Sequence, residues 1–212
     1  MCVILICPPG VRPDGDVVEA CHAANPHGAG VAWREGKEVR WSKNLDPAGV
    51  MDALRTAKGE AVVHFRWASV GGVNPRLCHP FPVDRAAATK LEGAARRVLF
   101  HNGTWAGYRD ALAHIEQKQK RTIAGAISDS RVMALLVDHL RKPEVLGDVE
   151  GRWVLFSSRE TRVFGDWREW RGMRCSNLGF LYEMDRAKRP CRKAARAGAE
   201  PQMALWEEGG AR

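Results

Sequence analysis

Directly behind residue 2 the chain reads Val3-Ile4-Leu5-Ile6, an apolar run that Pro8-Pro9-Gly10 ends a few residues later. A run of that length closed by turn residues reads as a buried strand, and it would hold the residue before it rigid at the edge of a core. That residue is Cys2. If an aminopeptidase removes Met1, one residue carries both a thiol and a free α-amine. Their ordinary pKa values, about 8.5 and about 7.7 to 8.0, let the amine take the thiol's proton near neutral pH without a large shift. The chain therefore opens on a candidate nucleophile with its own base.

The 212 residues allow one sizeable core and would cramp a second, so a single domain is expected. No apolar run approaches the roughly 20 residues needed to span a bilayer, and the start lacks the basic opening of a signal peptide. A cytoplasmic protein without membrane contact is the expectation. Cys2, Cys7, Cys21, Cys78, Cys175 and Cys191 include no C-x-x-C pair. Reduced thiols and no metal site follow from that scatter. Much of the net charge of +8 is local: Arg186, Lys188, Arg189, Arg192, Lys193 and Arg196 have no acidic residue among them. Such a run suits an anionic partner such as nucleic acid, or a solvated tail.

Periodicity and punctuation place the elements. Val17 to Ala24 reads as a helix capped by Asp16, and Gly28–Trp33 with Glu38–Ser42 as a hairpin. Asp46-Pro47 opens a helix that Gly59 stops, and Ala61 to Trp67 is a strand by its Val and Phe content. A broken loop runs to Pro82, and Arg97 to His101 is another strand. Tyr108–Gln119 and Ser128–Leu140 read as helices, the second capped by Ser128. Trp153–Ser157 with Thr161–Phe164 is a late hairpin, and Gly179–Tyr182 a last strand. Segregated runs of this kind predict an α+β layered fold with helices outside sheets. Little order is expected beyond about Asp185.

Three stretches carry chemistry. In His64-Phe65-Arg66-Trp67-Ala68-Ser69-Val70-Gly71, followed by His79-Pro80, an arginine at a strand end can fork onto a carboxylate; a surface arginine beside a core tryptophan is the plainer alternative. In His101-Asn102-Gly103 a side-chain amide and an open backbone N–H could form an oxyanion hole, or simply an Asn-Gly turn. In Ser128-Asp129-Ser130 the aspartate either caps a helix or meets an ammonium group.

Together with Cys2, and in this order, these stretches resemble the class II glutamine amidotransferase domain of the N-terminal nucleophile hydrolases, in its stand-alone form. That family reads Met-Cys-Gly-Ile, His-Thr-Arg-Trp-Ala-Thr-His-Gly with a later His-Pro, His-Asn-Gly and Ser-Asp-Thr. The resemblance covers residues 2–184 and implies a four-layer αββα sandwich that hydrolyses glutamine to glutamate and ammonia without metal or cofactor. It implies Cys2 as nucleophile, Asn102 and the Gly103 N–H as oxyanion donors, Arg66 for the substrate α-carboxylate and Asp129 for the α-ammonium. Trp67 and Ser69 fall in the same substrate-binding stretch.

Three departures qualify it. Val3 stands where the family has glycine, Ser69 where it has threonine, and Val70 where it has a histidine near the substrate carboxylate. After residue 184 only a basic tail, 185–212, remains, so the ammonia would pass to a separate synthase or transferase. Within that tail Gln202-Met203-Ala204-Leu205-Trp206 resembles the short peptides that dock on the bacterial DNA sliding clamp. The rival readings are an N-terminal-nucleophile amidase for another amide, which Val70 favours, and an inactive scaffold that binds nucleic acid or protein through the tail.

Overall fold

The computed structural model describes residues 1–188. The basic run beyond Arg189 and the Gln202–Trp206 cluster lie outside the described residues. The chain begins with β1 (Val3–Cys7), α1 (Gly15–Ala24), the hairpin of β2 (Ala29–Glu35) and β3 (Glu38–Leu45), then α2 (Pro47–Thr56) and β4 (Ala61–Phe65). Next come β5 (Phe81–Pro82), β6 (Glu92–Ala95), β7 (Arg97–Asn102), α3 (Tyr108–Gln119) and α4 (Asp129–Leu140). It closes with β8 (Arg152–Ser157), β9 (Thr161–Phe164), β10 (Arg168–Trp170), β11 (Met173–Cys175) and α5 (Leu181–Lys188).

The strands form two antiparallel sheets, ordered β10-β11-β1-β4-β2-β3-β6 and β5-β7-β8-β9. Strand parity then decides the layers. Ile4 and Ile6 of β1 pack with Val98, Phe100, Val154 and Phe156 of the smaller sheet, so one face of β1 fills the space between sheets. Val3, Leu5 and Cys7 point the other way, onto Val17 and Cys21 of α1 and Val50 and Leu54 of α2. The smaller sheet turns Leu99, Trp153 and Leu155 outward onto Val132, Met133 and Leu135 of α4 and Ile115 of α3. This is the expected four-layer αββα sandwich. It explains why β1 is apolar without alternation: both its faces are covered. Cutting Ile4 to alanine would open the inter-sheet core at a cost of about 2–5 kcal/mol.

Helix ends follow local chemistry. Asp46 caps α2 by accepting the Gly49 N–H at 2.8 Å, with Pro47 at the first helical position. Ser128 caps α4 by accepting the Arg131 N–H at 3.2 Å. In α1 the cap is Asp14, which accepts the Val17 N–H at 2.9 Å, and not Asp16, which lies in the first turn.

Other differences concern short elements. The strand expected to reach Trp67 ends at Phe65: the Arg66 N–H still reaches the Gly28 carbonyl at 2.9 Å, but the Arg66 carbonyl takes the His27 N–H at 3.1 Å, a one-residue slip at Gly28, φ +98°, that breaks the ladder. Gly179–Tyr182 is not a strand. Asn177 Oδ1 takes the Gly179 N–H at 2.9 Å, and the chain then enters α5, whose approach buries Phe180 and Met184, four residues apart. That helix runs to Lys188, past residue 184. The unexpected strands β10 and β11 are joined by Arg171 and Gly172, both at positive φ, as a two-residue hairpin turn requires. Among the described residues no helix is long and apolar enough to cross a membrane.

Candidate active site

Antiparallel pairing brings the motif residues to one end of the sandwich. Val3 at the start of β1 lies opposite Phe65 at the end of β4, and Phe65 also faces Ala29 at the start of β2. In the other sheet, Asn102 at the end of β7 faces Arg152 at the start of β8. Cys2, Arg66, Asn102 and Gly103 are therefore delivered to the same rim by the two packed sheets.

Cys2 is held on both sides. Its Sγ accepts the Trp67 N–H at 3.2 Å, and its carbonyl accepts Asn177 Nδ2 at 2.7 Å. Burial pushes its thiol pKa up, while the Trp67 N–H, the N-terminal ammonium and the Arg66 guanidinium pull it down. Asn102 is buried and donates from Nδ2 to Ser176 Oγ at 2.9 Å; the same hydroxyl accepts the Ile4 N–H at 2.9 Å. Ser176 thus ties the amide of Asn102 to the strand that carries Cys2. Neither Ser176 nor Asn177 stood out in the sequence, because a Ser-Asn pair after a short strand looks like any polar turn.

Arg66 is 4% exposed. Its Nη2 donates to the carbonyls of Gly72 at 2.8 Å and Val70 at 3.3 Å, whereas its buried Nη1 has no hydrogen-bond partner. Trp67 is half exposed, and its ring lies 5.1 Å from that of His27, whose Nδ1 accepts the Ala68 N–H at 2.9 Å. Ser69 Oγ accepts Thr104 Oγ1–H at 3.4 Å. The loop needs its glycine: Gly71 sits at φ +81°, and a Cβ there would lie 2.3 Å from Leu77 Cδ1 and 2.8 Å from the Ile127 carbonyl.

Asp129 is equally buried at the start of α4. Its Oδ2 accepts the Trp105 N–H at 3.0 Å, and its Oδ1 the Ser130 N–H at 2.8 Å. Behind it His101 stacks on Trp153 at 3.6 Å between ring centroids, with its Nδ1 3.0 Å from Ser130 Oγ. A side chain at Gly103 would put its Cβ 2.7 Å from His101 Nε2. The residue beside Asn102 is therefore glycine for packing as well as for an open N–H.

His64 and His79 complete a buried histidine group, their rings 4.1 Å apart, and His64 Nε2 lies 3.1 Å from the His101 carbonyl. Burial lowers the pKa of His64 and of His101 to about 3 and drives that of His79 well below the usual value. The three rings are neutral at physiological pH. Among the described residues no group of three or more His, Cys, Asp or Glu is arranged to hold a metal ion.

Two cavities meet at Cys2. One is a small recess of about 20 Å³ bordered by Arg66, Val70, His79, His101 and Asp129. The other is a larger cleft of about 710 Å³ bordered by Asn102, Thr104, Glu150, Arg152 and Asp166, with Met1 on its wall. The recess is the size of a water molecule, and the cleft the size of a small-molecule site.

No family model matches this sequence, and no curated protein does. Solved structures match in three dimensions. The glutamine phosphoribosylpyrophosphate amidotransferase from B. subtilis, complexed with ADP and GMP, superposes with a TM-score of 0.57 over 87% of this chain at 16% identity. The allosteric regulatory enzyme of purine biosynthesis superposes with a TM-score of 0.56 over 82% at 17% identity. The fold is that of the N-terminal nucleophile glutamine amidotransferases. The matches take in 44% and 41% of those two chains, so this chain spans less than half the length of the enzymes whose fold it shares.

Proposed function

We propose that the chain is a glutaminase that hydrolyses glutamine to glutamate and ammonia once removal of Met1 frees the amine of Cys2. The observation that carries this reading is the convergence of Cys2, Asn102, Gly103, Arg66 and Asp129 on one rim, in a fold shared with a glutamine amidotransferase. An acyl transfer needs a nucleophile beside paired donors, and a zwitterionic substrate needs one fixed cation and one fixed anion.

In the reaction the α-amine takes the thiol proton and the thiolate attacks the side-chain carbonyl carbon. Asn102 Nδ2–H and the Gly103 N–H hold the oxyanion. The ammonium returns its proton to the departing nitrogen, ammonia leaves, and a thioester joins the glutamyl group to Cys2. Water, deprotonated by the same amine, then releases glutamate. Burial raises the Cys2 thiol, so a base on the same residue is what makes it a nucleophile at neutral pH.

Substrate entry requires a movement. The recess holds about 20 Å³, and Arg66 Nη2 is occupied by the loop carbonyls of Val70 and Gly72. Arg66 exchanges these for the α-carboxylate as residues 67–73 swing outward. Trp67 and Ser69 travel with the loop, and Asp129 receives the α-ammonium. The Val70 side chain offers no polar group where the family has a histidine, which weakens binding of the carboxylate.

The ammonia goes to a separate synthase or transferase in the cytoplasm. The expected boundary at 184 falls inside α5, which runs to Lys188, so the domain takes in that helix; a sliding clamp, docked through Gln202–Trp206, or nucleic acid, through the basic residues, is the partner proposed for the chain beyond it. Glutamate release from glutamine by purified protein tests the central step. Turnover by wild type that falls at least a thousandfold in Cys2→Ala is expected. Wild-type protein that has lost Met1 and releases no glutamate would contradict the reading.

A further inference from the structure

The two cavities at Cys2 differ in a way that glutamine does not require. They share only Cys2, Trp67, Ser69 and Gly103 among their lining residues, so the nucleophile sits at their junction. With the amino-acid head toward Arg66 and Asp129, and the carbonyl oxygen on Asn102 and Gly103, the departing nitrogen points into the larger cleft. Ammonia needs a few tens of Å³ at most, about the share of one water in the liquid. The cleft offers about 710 Å³, and loss of Met1 from its wall enlarges it.

Its lining shows what would occupy that space. Glu150 and Asp166 are exposed, and neither carboxylate is in an ion pair or accepts a hydrogen bond among the described residues. Arg152 donates from Nε to the Asp166 carbonyl at 2.8 Å, and not to either carboxylate. Charged groups left free around a cleft suit a small polar ligand better than the core of a protein interface, which is depleted in charge.

From this we infer that the chain's substrates include secondary γ-glutamyl amides, in which the amide nitrogen carries a polar, amine-bearing substituent that lies in the cleft against Glu150 and Asp166. This rests on the glutaminase reading and extends it. The same thioester forms at Cys2 and the same C–N bond breaks. The substituted amine leaves with the proton from the Cys2 ammonium, and water releases glutamate. No further reactant is needed.

The experiment compares three substrates of the full-length, processed protein: glutamine, γ-glutamyl-butylamide and γ-glutamyl-(4-aminobutyl)amide. Glutamate release gives kcat/KM for each. The result expected is a kcat/KM about tenfold above that of glutamine for the aminobutyl amide, with the butyl amide between them. The double variant Glu150→Gln, Asp166→Asn should then remove most of the difference between aminobutyl and butyl amides. Values for both substituted amides no higher than for glutamine would overturn the inference while leaving the glutaminase reading standing. No turnover of any of the three would remove both readings together.

Discussion

Two buried arginines show how differently this fold uses the same side chain. Arg131, in α4, donates from Nε to Ala87, from Nη1 to Ala126 and from Nη2 to Ala86 and Ala124, all backbone carbonyls. Every nitrogen of its guanidinium is used, and it staples the loops around α4 together. Arg66, just as buried, leaves Nη1 without a partner, and its bonds to Val70 and Gly72 hold only the loop over the recess. A buried donor without a partner costs stability, typically about 1–3 kcal/mol. One arginine is closed into the structure, and the other keeps a donor that no described residue takes up, as the proposed carboxylate clamp requires.

Substitution of each breaks or sharpens that contrast. Arg131→Met should cost about 4 kcal/mol, because four carbonyls lose their donors, and urea unfolding measures it. A loss below about 1 kcal/mol would show that Arg131 is no staple. Arg66→Met should leave the unfolding midpoint nearly unchanged and lower kcat/KM for glutamine about a hundredfold. If the two variants traded these effects, the assignment of open and closed arginines would be reversed.

The histidines at the open end give a smaller effect with a definite sign. His64 is neutral in the fold, with its pKa lowered to about 3, against about 6.5 in an unfolded chain. Below pH 6.5 the unfolded chain takes up a proton that the folded one refuses, so this stability is complete above 6.5 and is lost as pH falls toward 3. Between pH 7.5 and 5, wild type should lose about 2 kcal/mol more than His64→Asn. Equal losses would mean that His64 is protonated in the folded protein. Least of all should come from Arg174→Ala: its 3.1 Å pair with Glu169 is exposed, and the change should stay within about 0.5 kcal/mol.

How far the sequence reveals this molecule depends on whether a residue's neighbours along the chain are also its neighbours in space. The helices α2, α3 and α4 and the hairpin β8-β9 were legible because caps, apolar spacing and turns are local signals. The short strands β6, β10 and β11 were not: Glu92–Ala95 exists because β3 offers it an edge, β11 because β1 does, and Arg168–Trp170 because it folds back on β11. The same rule holds at the site. Cys2, Arg66, Asn102, Gly103 and Asp129 announce themselves by residue type and motif. Ser176 matters through its bonds to Ile4 and Asn102, far away in the chain, and Glu150, Arg152 and Asp166 only through the cleft they border with Cys2.

Intact-protein mass spectrometry after treatment with the glutamine-mimicking electrophile diazo-oxo-norleucine tests the nucleophile most directly. The account predicts a chain lacking Met1 that carries a single adduct on Cys2, suppressed by excess glutamine and absent from Cys2→Ala. A chain that retains Met1, or a processed one whose Cys2 stays unmodified, would contradict it.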